Sequence, residues 1–131
     1  MSALAEALIP AIRFDANGLV PVIAQQHDTG EVLMMAWMNE AAVRETLETG
    51  RVCYWSRSRA GLWRKGETSG QVQRLVELRL DCDGDTLLAL VDQTGVACHT
   101  GRRSCFFRAA REGGLVEIAA PQVAPETLYG S

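Results

Sequence analysis

Apolar positions along the chain fall into two periods. "LVPVIAQ" (19–25) and "EVLMMAW" (31–37) are β-branched or apolar runs separated by the polar, turn-like "QHDTG", and they predict a hairpin. "EAAVRETLET" has Val43 and Leu47 four apart, with Glu40 and Arg44 on another face. Asn39 stands at the N-cap and Gly50 where a helix-ending glycine belongs, so a helix is expected between them. "RVCYWSRS" has the content of a strand, whereas "RAGLWRKGETSG" reads as a basic loop because its glycines break either period. "QVQRLVELRL" sets Val72, Val76, Leu78 and Leu80 against Gln73, Glu77 and Arg79, a half-buried strand. "DCDGD" is then a turn, "TLLALVDQ" an apolar strand, "TGVACHTGRRSC" a second loop and "LVEIA" a last strand. A short helix as far as Pro10 precedes all of this, and "PQVAPETLYGS" reads as a loose tail.

These elements predict one mainly β, α+β domain over residues 1–131, with no repeat or linker. Composition adds that the chain is an ordinary globular one. The net charge of −3 argues against a general nucleic-acid coat, yet leaves room for a local basic pocket. The start lacks a basic stretch followed by an apolar one, and no apolar run approaches membrane-spanning length, so a cytoplasmic protein without membrane contact is expected. In such a compartment the four cysteines point to metal ligation or burial rather than disulfides.

Candidate chemistry concentrates in three places. In "DCDGD", an extended backbone would point Asp81, Asp83 and Asp85 one way and Cys82 the other. Carboxylates suit Mg²⁺ and thiolate suits zinc, so two metals are one reading; an acidic hairpin turn is the other. "ACHTGRRSCFF" supplies Cys98 and Cys105, with His99 beside the first, either hydrogen-bonded around the metal ligands or a proton shuttle rather than a fourth ligand. Three sulfurs would leave one tetrahedral zinc position open, as in a catalytic site, although burial as small hydrophobes also accounts for free cysteines, Cys53 above all. "WSRSRAGLWRKGETSG" offers arginines, a lysine and hydroxyls among glycines, either a phosphate site or a solvated loop. A zinc-containing nucleic-acid module is an alternative that the interleaved aspartates oppose, and the deaminase signature is absent.

"MMAWMNEAAV", "TGRVCYWSRSR", "LWRKGETSG" and "DCDGDTLLALVDQTGVACHTGRRSCFF", in that order, closely resemble the phosphoribosyl-AMP cyclohydrolase family of histidine biosynthesis, from about Gly18 to Phe107. The resemblance implies hydrolysis of the N1–C6 bond of 1-(5-phosphoribosyl)-AMP and a barrel-like antiparallel sheet capped by a helix in an intertwined homodimer. It implies one Zn²⁺ per subunit at Cys82, Cys98 and Cys105, with Cys82 contributed by the other subunit, and Mg²⁺ at Asp81, Asp83 and Asp85. His99 is then the catalytic proton carrier, and Arg57, Arg59, Lys65, Ser69, Arg102 and Arg103 are candidates for the substrate's phosphates. Since the chain ends soon after these motifs, no fused phosphoribosyl-ATP pyrophosphohydrolase domain is expected.

Overall fold

A computed structural model describes residues 3–129. The first helix, α1 (Ala3–Leu8), ends in a single 3-10 turn at Ile9–Ala11, where Pro10 takes a position that needs no amide donor. The predicted hairpin is β1 (Val20–Gln26) and β2 (Val32–Met38), antiparallel. Helix α2 (Glu40–Thr49) follows, and both of its predicted ends hold. Asn39 accepts a hydrogen bond from the Ala42 amide at 2.9 Å, and Gly50 has φ +74°.

Four strands form the main sheet in the order β2-β1-β6-β5, where β5 is Gln73–Leu80 and β6 is Leu87–Gln93. The sheet is open rather than closed into a barrel, because its outer strands β2 and β5 do not pair with each other. Nor is it wholly antiparallel: β1 and β6 run parallel, from Val22 opposite Leu87 to Gln26 opposite Val91. A parallel neighbour requires a long crossover, here the whole segment from β2 to β5. Pro21 fits because it precedes the first residue of β1 that pairs with β6.

Val20, Val22, Ala24, Leu87, Ala89 and Val91 face a core closed by α1, α2 and β3 (Cys53–Ser56). Thr46 joins helix to strand: its hydroxyl accepts from the Cys53 amide at 2.9 Å and donates to the Cys53 carbonyl at 3.2 Å. The other sheet face leaves Ile23, Leu88 and Leu90 half-buried and Met35 42% exposed.

Three further expectations need correction. The glycine-punctuated basic segment contains a strand, β4 (Gly61–Arg64), which pairs with β3; Gly61 pairs with Ser56, and Gly66 and Gly70 fall in the turn that follows. In β5 the register shifts between Leu75 and Glu77, a bulge at Val76. The extra residue reverses the alternation midway, so Gln73 is fully buried while Val76 is 46% exposed, the opposite of what strict alternation predicts. Finally, β7 (Arg108–Arg111) and β8 (Gly114–Glu117) form a small hairpin, and the tail contains a short helix, α3 (Pro125–Tyr129).

Candidate active site

The two chemistry-bearing segments sit at opposite ends of β6. Before it, the 81–86 turn is closed by the Asp81 amide on the Thr86 carbonyl at 3.0 Å. One carboxylate oxygen of Asp81 accepts from the amides of Asp85 (3.0 Å) and Thr86 (3.3 Å). Gly84, at φ +75°, makes the reversal; a Cβ there would stand 2.9 Å from the Ala11 carbonyl. The expected turn is thus present, and the turn itself, rather than extended alternation, gathers the aspartates: oxygens of Asp81, Asp83 and Asp85 lie within 4.8 Å of one another, all on exposed residues. Burial raises Asp81, but those amide hydrogen bonds outweigh it and hold the carboxyl below its ordinary range. Three carboxylates this close repel one another unless a cation intervenes, and an all-oxygen set fits a hard divalent ion such as Mg²⁺.

After β6, residues 97–103 double back, with the Ala97 amide on the Arg103 carbonyl at 3.0 Å and the Cys98 amide on the Arg102 carbonyl at 3.1 Å. Gly101, at φ +85°, permits the reversal, and a Cβ there would run into the Val123 carbonyl. The returning chain is stitched to β2: the Cys105 amide donates to the Leu33 carbonyl at 2.7 Å and the Ser104 hydroxyl to Val32 at 2.7 Å. Leu33 is the residue skipped in the β1–β2 register, so an irregularity in β2 helps place Cys105.

This folding brings Cys98 and Cys105 together. Cys98 is buried and Cys105 exposed at its surface, yet desolvation of the Cys105 sulfur pushes its thiol up to about 12, and the neighbouring Cys98 adds to the shift by charge and by hydrogen bonding. The Thr100 hydroxyl donates to the Cys98 sulfur at 3.0 Å. Two sulfurs side by side are suited to a soft divalent cation, which stabilises both as thiolates at once. Cys82 is not part of this pair. The length of β6, seven residues at ~3.3 Å each, or about 23 Å, separates the two ends. Cys82 of the same chain is therefore out of reach of the pair.

Beside the pair lies a groove of roughly 400 Å³ whose lining includes Arg59, Trp63, Lys65, Ser69 and His99. The structure so brings together four residues singled out from the sequence. His99 is exposed there. Arg57 instead lies over the Trp37 ring, 4.6 Å from its centre, beside a separate depression that Arg59 also borders. Arg102 and Arg103 brace the cysteine loop. Arg102 donates to the Ala119 carbonyl at 2.8 Å and stacks on Phe107 at 3.9 Å; Arg103 donates to the carbonyls of Gln93 (3.0 Å) and Gly95 (2.6 Å).

One functional feature escaped the sequence reading, a buried polar chain under the cysteine loop. The Tyr54 hydroxyl donates to Gln73 at 2.6 Å, and Gln73 donates to Gln93 at 2.8 Å. The Gln93 amide group reaches the Thr94 carbonyl at 2.8 Å, and the Gln71 side chain accepts from the Val96 amide at 2.9 Å. Glutamines at the start of β5 and the end of β6 were the available signal. The bulge at Val76 concealed that Gln73 points inward.

A family model for phosphoribosyl-AMP cyclohydrolase matches residues 34–107, which contain every site residue discussed above. Among curated proteins, the phosphoribosyl-AMP cyclohydrolase of Rhodospirillum centenum is 69% identical over 129 residues, covering 98% of this chain and 97% of its own length. That of Alkalilimnicola ehrlichii is 72% identical over 123 residues, covering 94% and 87%. That of Rhodospirillum rubrum is 69% identical over 133 residues, covering 99% and 93%.

Proposed function

The chain belongs to the phosphoribosyl-AMP cyclohydrolase family, and from that premise we propose that it opens the adenine ring of 1-(5-phosphoribosyl)-AMP in histidine biosynthesis by hydrolysing the N1–C6 bond. The observation that carries the reading beyond the family is the meeting of Cys98 and Cys105 beside a groove lined by Arg59, Ser69 and His99. Zn²⁺ on Cys98 and Cys105, completed by Cys82 of a second copy, would supply Lewis-acid activation of the attacking water, and Mg²⁺ on Asp81, Asp83 and Asp85 additional positive charge.

This chain's own residues do the rest. Arg59 and Ser69, on the groove wall, offer charge and a hydroxyl to phosphate oxygens, and Arg57 offers a second cation from the adjoining depression. Water adds its oxygen to C6, which the ribosyl substituent on N1 makes electrophilic. One water proton passes to His99 and the other ends on the exocyclic imino nitrogen; the C6–N1 bond breaks as the C6 carbonyl forms, and His99 returns its proton to N1. The exocyclic nitrogen stays on C6, so the product is a carboxamide.

A second copy has a place to pack, since the sheet face bearing Ile23, Met35, Leu88 and Leu90 is apolar and incompletely covered. Absorbance of ring opening, measured on chelator-stripped protein and after addition of Zn²⁺, Mg²⁺ or both, tests the proposal. Turnover that needs Zn²⁺ and rises further with Mg²⁺ is expected. Full turnover in the stripped protein would refute the metal chemistry.

A further inference from the structure

We propose that Lys65 is a positioning residue for the cysteine pair, a buried cation that neutralises the thiolates of Cys98 and Cys105 and ties down their loop, rather than a ligand of a substrate phosphate. The inference rests on the metal reading above and concerns a residue that reading leaves without a task.

Lys65 directly follows β4. Its amide donates to the Val52 carbonyl at 3.1 Å, which fixes the backbone against the chain leading into β3. The side chain runs inward and is 6% exposed. Its ammonium donates to the Ala97 carbonyl, one residue before Cys98, and lies 5.3 Å from the centre of the Trp63 ring. Among the described residues, none of the ion pairs involves it.

That leaves a charge problem. An ammonium carries three donors, and burying one without a counter-ion is costly. A carbonyl and a ring face compensate in part. The groups within electrostatic reach that become anions on binding a metal are the sulfurs of Cys105 and Cys98; in that form both favour the charged amine against the burial that opposes it. The same pairing solves a problem on the sulfur side. Three thiolates on one divalent cation leave a net negative charge, which weakens the ion as a Lewis acid; one buried lysine cancels it. A phosphate ligand, by contrast, should expose its cationic group in the groove, as Arg59 does, whereas Lys65 borders the groove with its side chain buried.

The test uses the full chain as wild type, Lys65→Arg, Lys65→Gln and Lys65→Met. Zn²⁺ affinity is read by chelator competition, thiolate ligation by the charge-transfer absorbance of Co²⁺-loaded protein, and KM at saturating Zn²⁺. Glutamine keeps a donor for the Ala97 carbonyl but no charge, so it separates neutralisation from simple bracing. Lys65→Gln and Lys65→Met should both weaken Zn²⁺ binding about 10- to 100-fold, with KM unchanged, while Lys65→Arg stays close to wild type. Should Lys65→Met fail to fold, the glutamine and arginine variants decide. Wild-type Zn²⁺ affinity in Lys65→Gln overturns the proposal, as does a raised KM with metal affinity intact. Wild-type protein that binds neither ion through thiolates overturns the metal reading itself, and this inference with it.

Discussion

Tyr54→Phe removes one oxygen from a fully buried ring and changes almost nothing in volume. What it removes is the donor to the side-chain oxygen of Gln73, 2.6 Å away, and no other described hydrogen bond reaches that oxygen. A buried acceptor left unsatisfied costs about 1–3 kcal/mol. At ~2.1 cal/mol/K per residue, a chain of 131 residues has an unfolding entropy of ~0.28 kcal/mol/K, so the melting temperature should fall by about 4–11 °C. Gln73→Met should cost more, because it strands both the Tyr54 hydroxyl and the Gln93 side-chain oxygen. In the double variant the first of these losses disappears, so the two effects should sum to less than additive. Urea midpoints at fixed protein concentration measure all three. A Tyr54→Phe variant within about 0.3 kcal/mol of wild type, or strict additivity, would refute the reasoning.

Three other outcomes follow from the site and its supports. His99→Ala should keep the wild-type metal content, by elemental analysis, while turnover drops about 10²- to 10⁴-fold; loss of zinc would instead make His99 a ligand. Gly101→Ala adds a Cβ where φ is +85° and the Val123 carbonyl already stands, so Zn²⁺ affinity should fall while circular dichroism still reports the sheet. Glu45 lies on Arg64 with contacts of 2.7 and 2.9 Å; chiefly that guanidinium, against burial, holds its carboxyl below the ordinary range. A depressed carboxylate stabilises the fold above its unfolded-state pKa and ceases to as pH falls through the folded one, so Glu45→Gln should be less stable than wild type at pH 7, and the difference should close as acid protonates Glu45 in urea titrations.

Local chemistry was legible in the sequence wherever neighbours in the chain are neighbours in space. Asn39 and Gly50 bracket α2 because capping involves only the adjoining turn. The three aspartates converge because five residues and a glycine make one turn. Contacts made across the fold were not legible. The parallel pairing of β1 with β6 depends on how a long crossover packs, and the inward turn of Gln73 depends on a single extra residue in β5. Lys65 read as one more cation in a basic loop, yet β4 carries it to the floor of the site. Nor was it legible that the Arg102 guanidinium reaches the Ala119 carbonyl and that of Arg103 the carbonyls of Gln93 and Gly95, since these partners lie apart in the chain.

Mixing two inactive variants tests the account at its centre, a hydrolytic site whose sulfurs come from two copies of the chain. Cys82→Ser and Cys98→Ser should each abolish ring opening alone. Unfolded together, refolded with Zn²⁺ and Mg²⁺ and assayed on phosphoribosyl-AMP, they should recover about a quarter of wild-type turnover, since half the dimers are mixed and each mixed dimer rebuilds one of its two sites. No recovery from folded, mixed dimers would contradict the shared site.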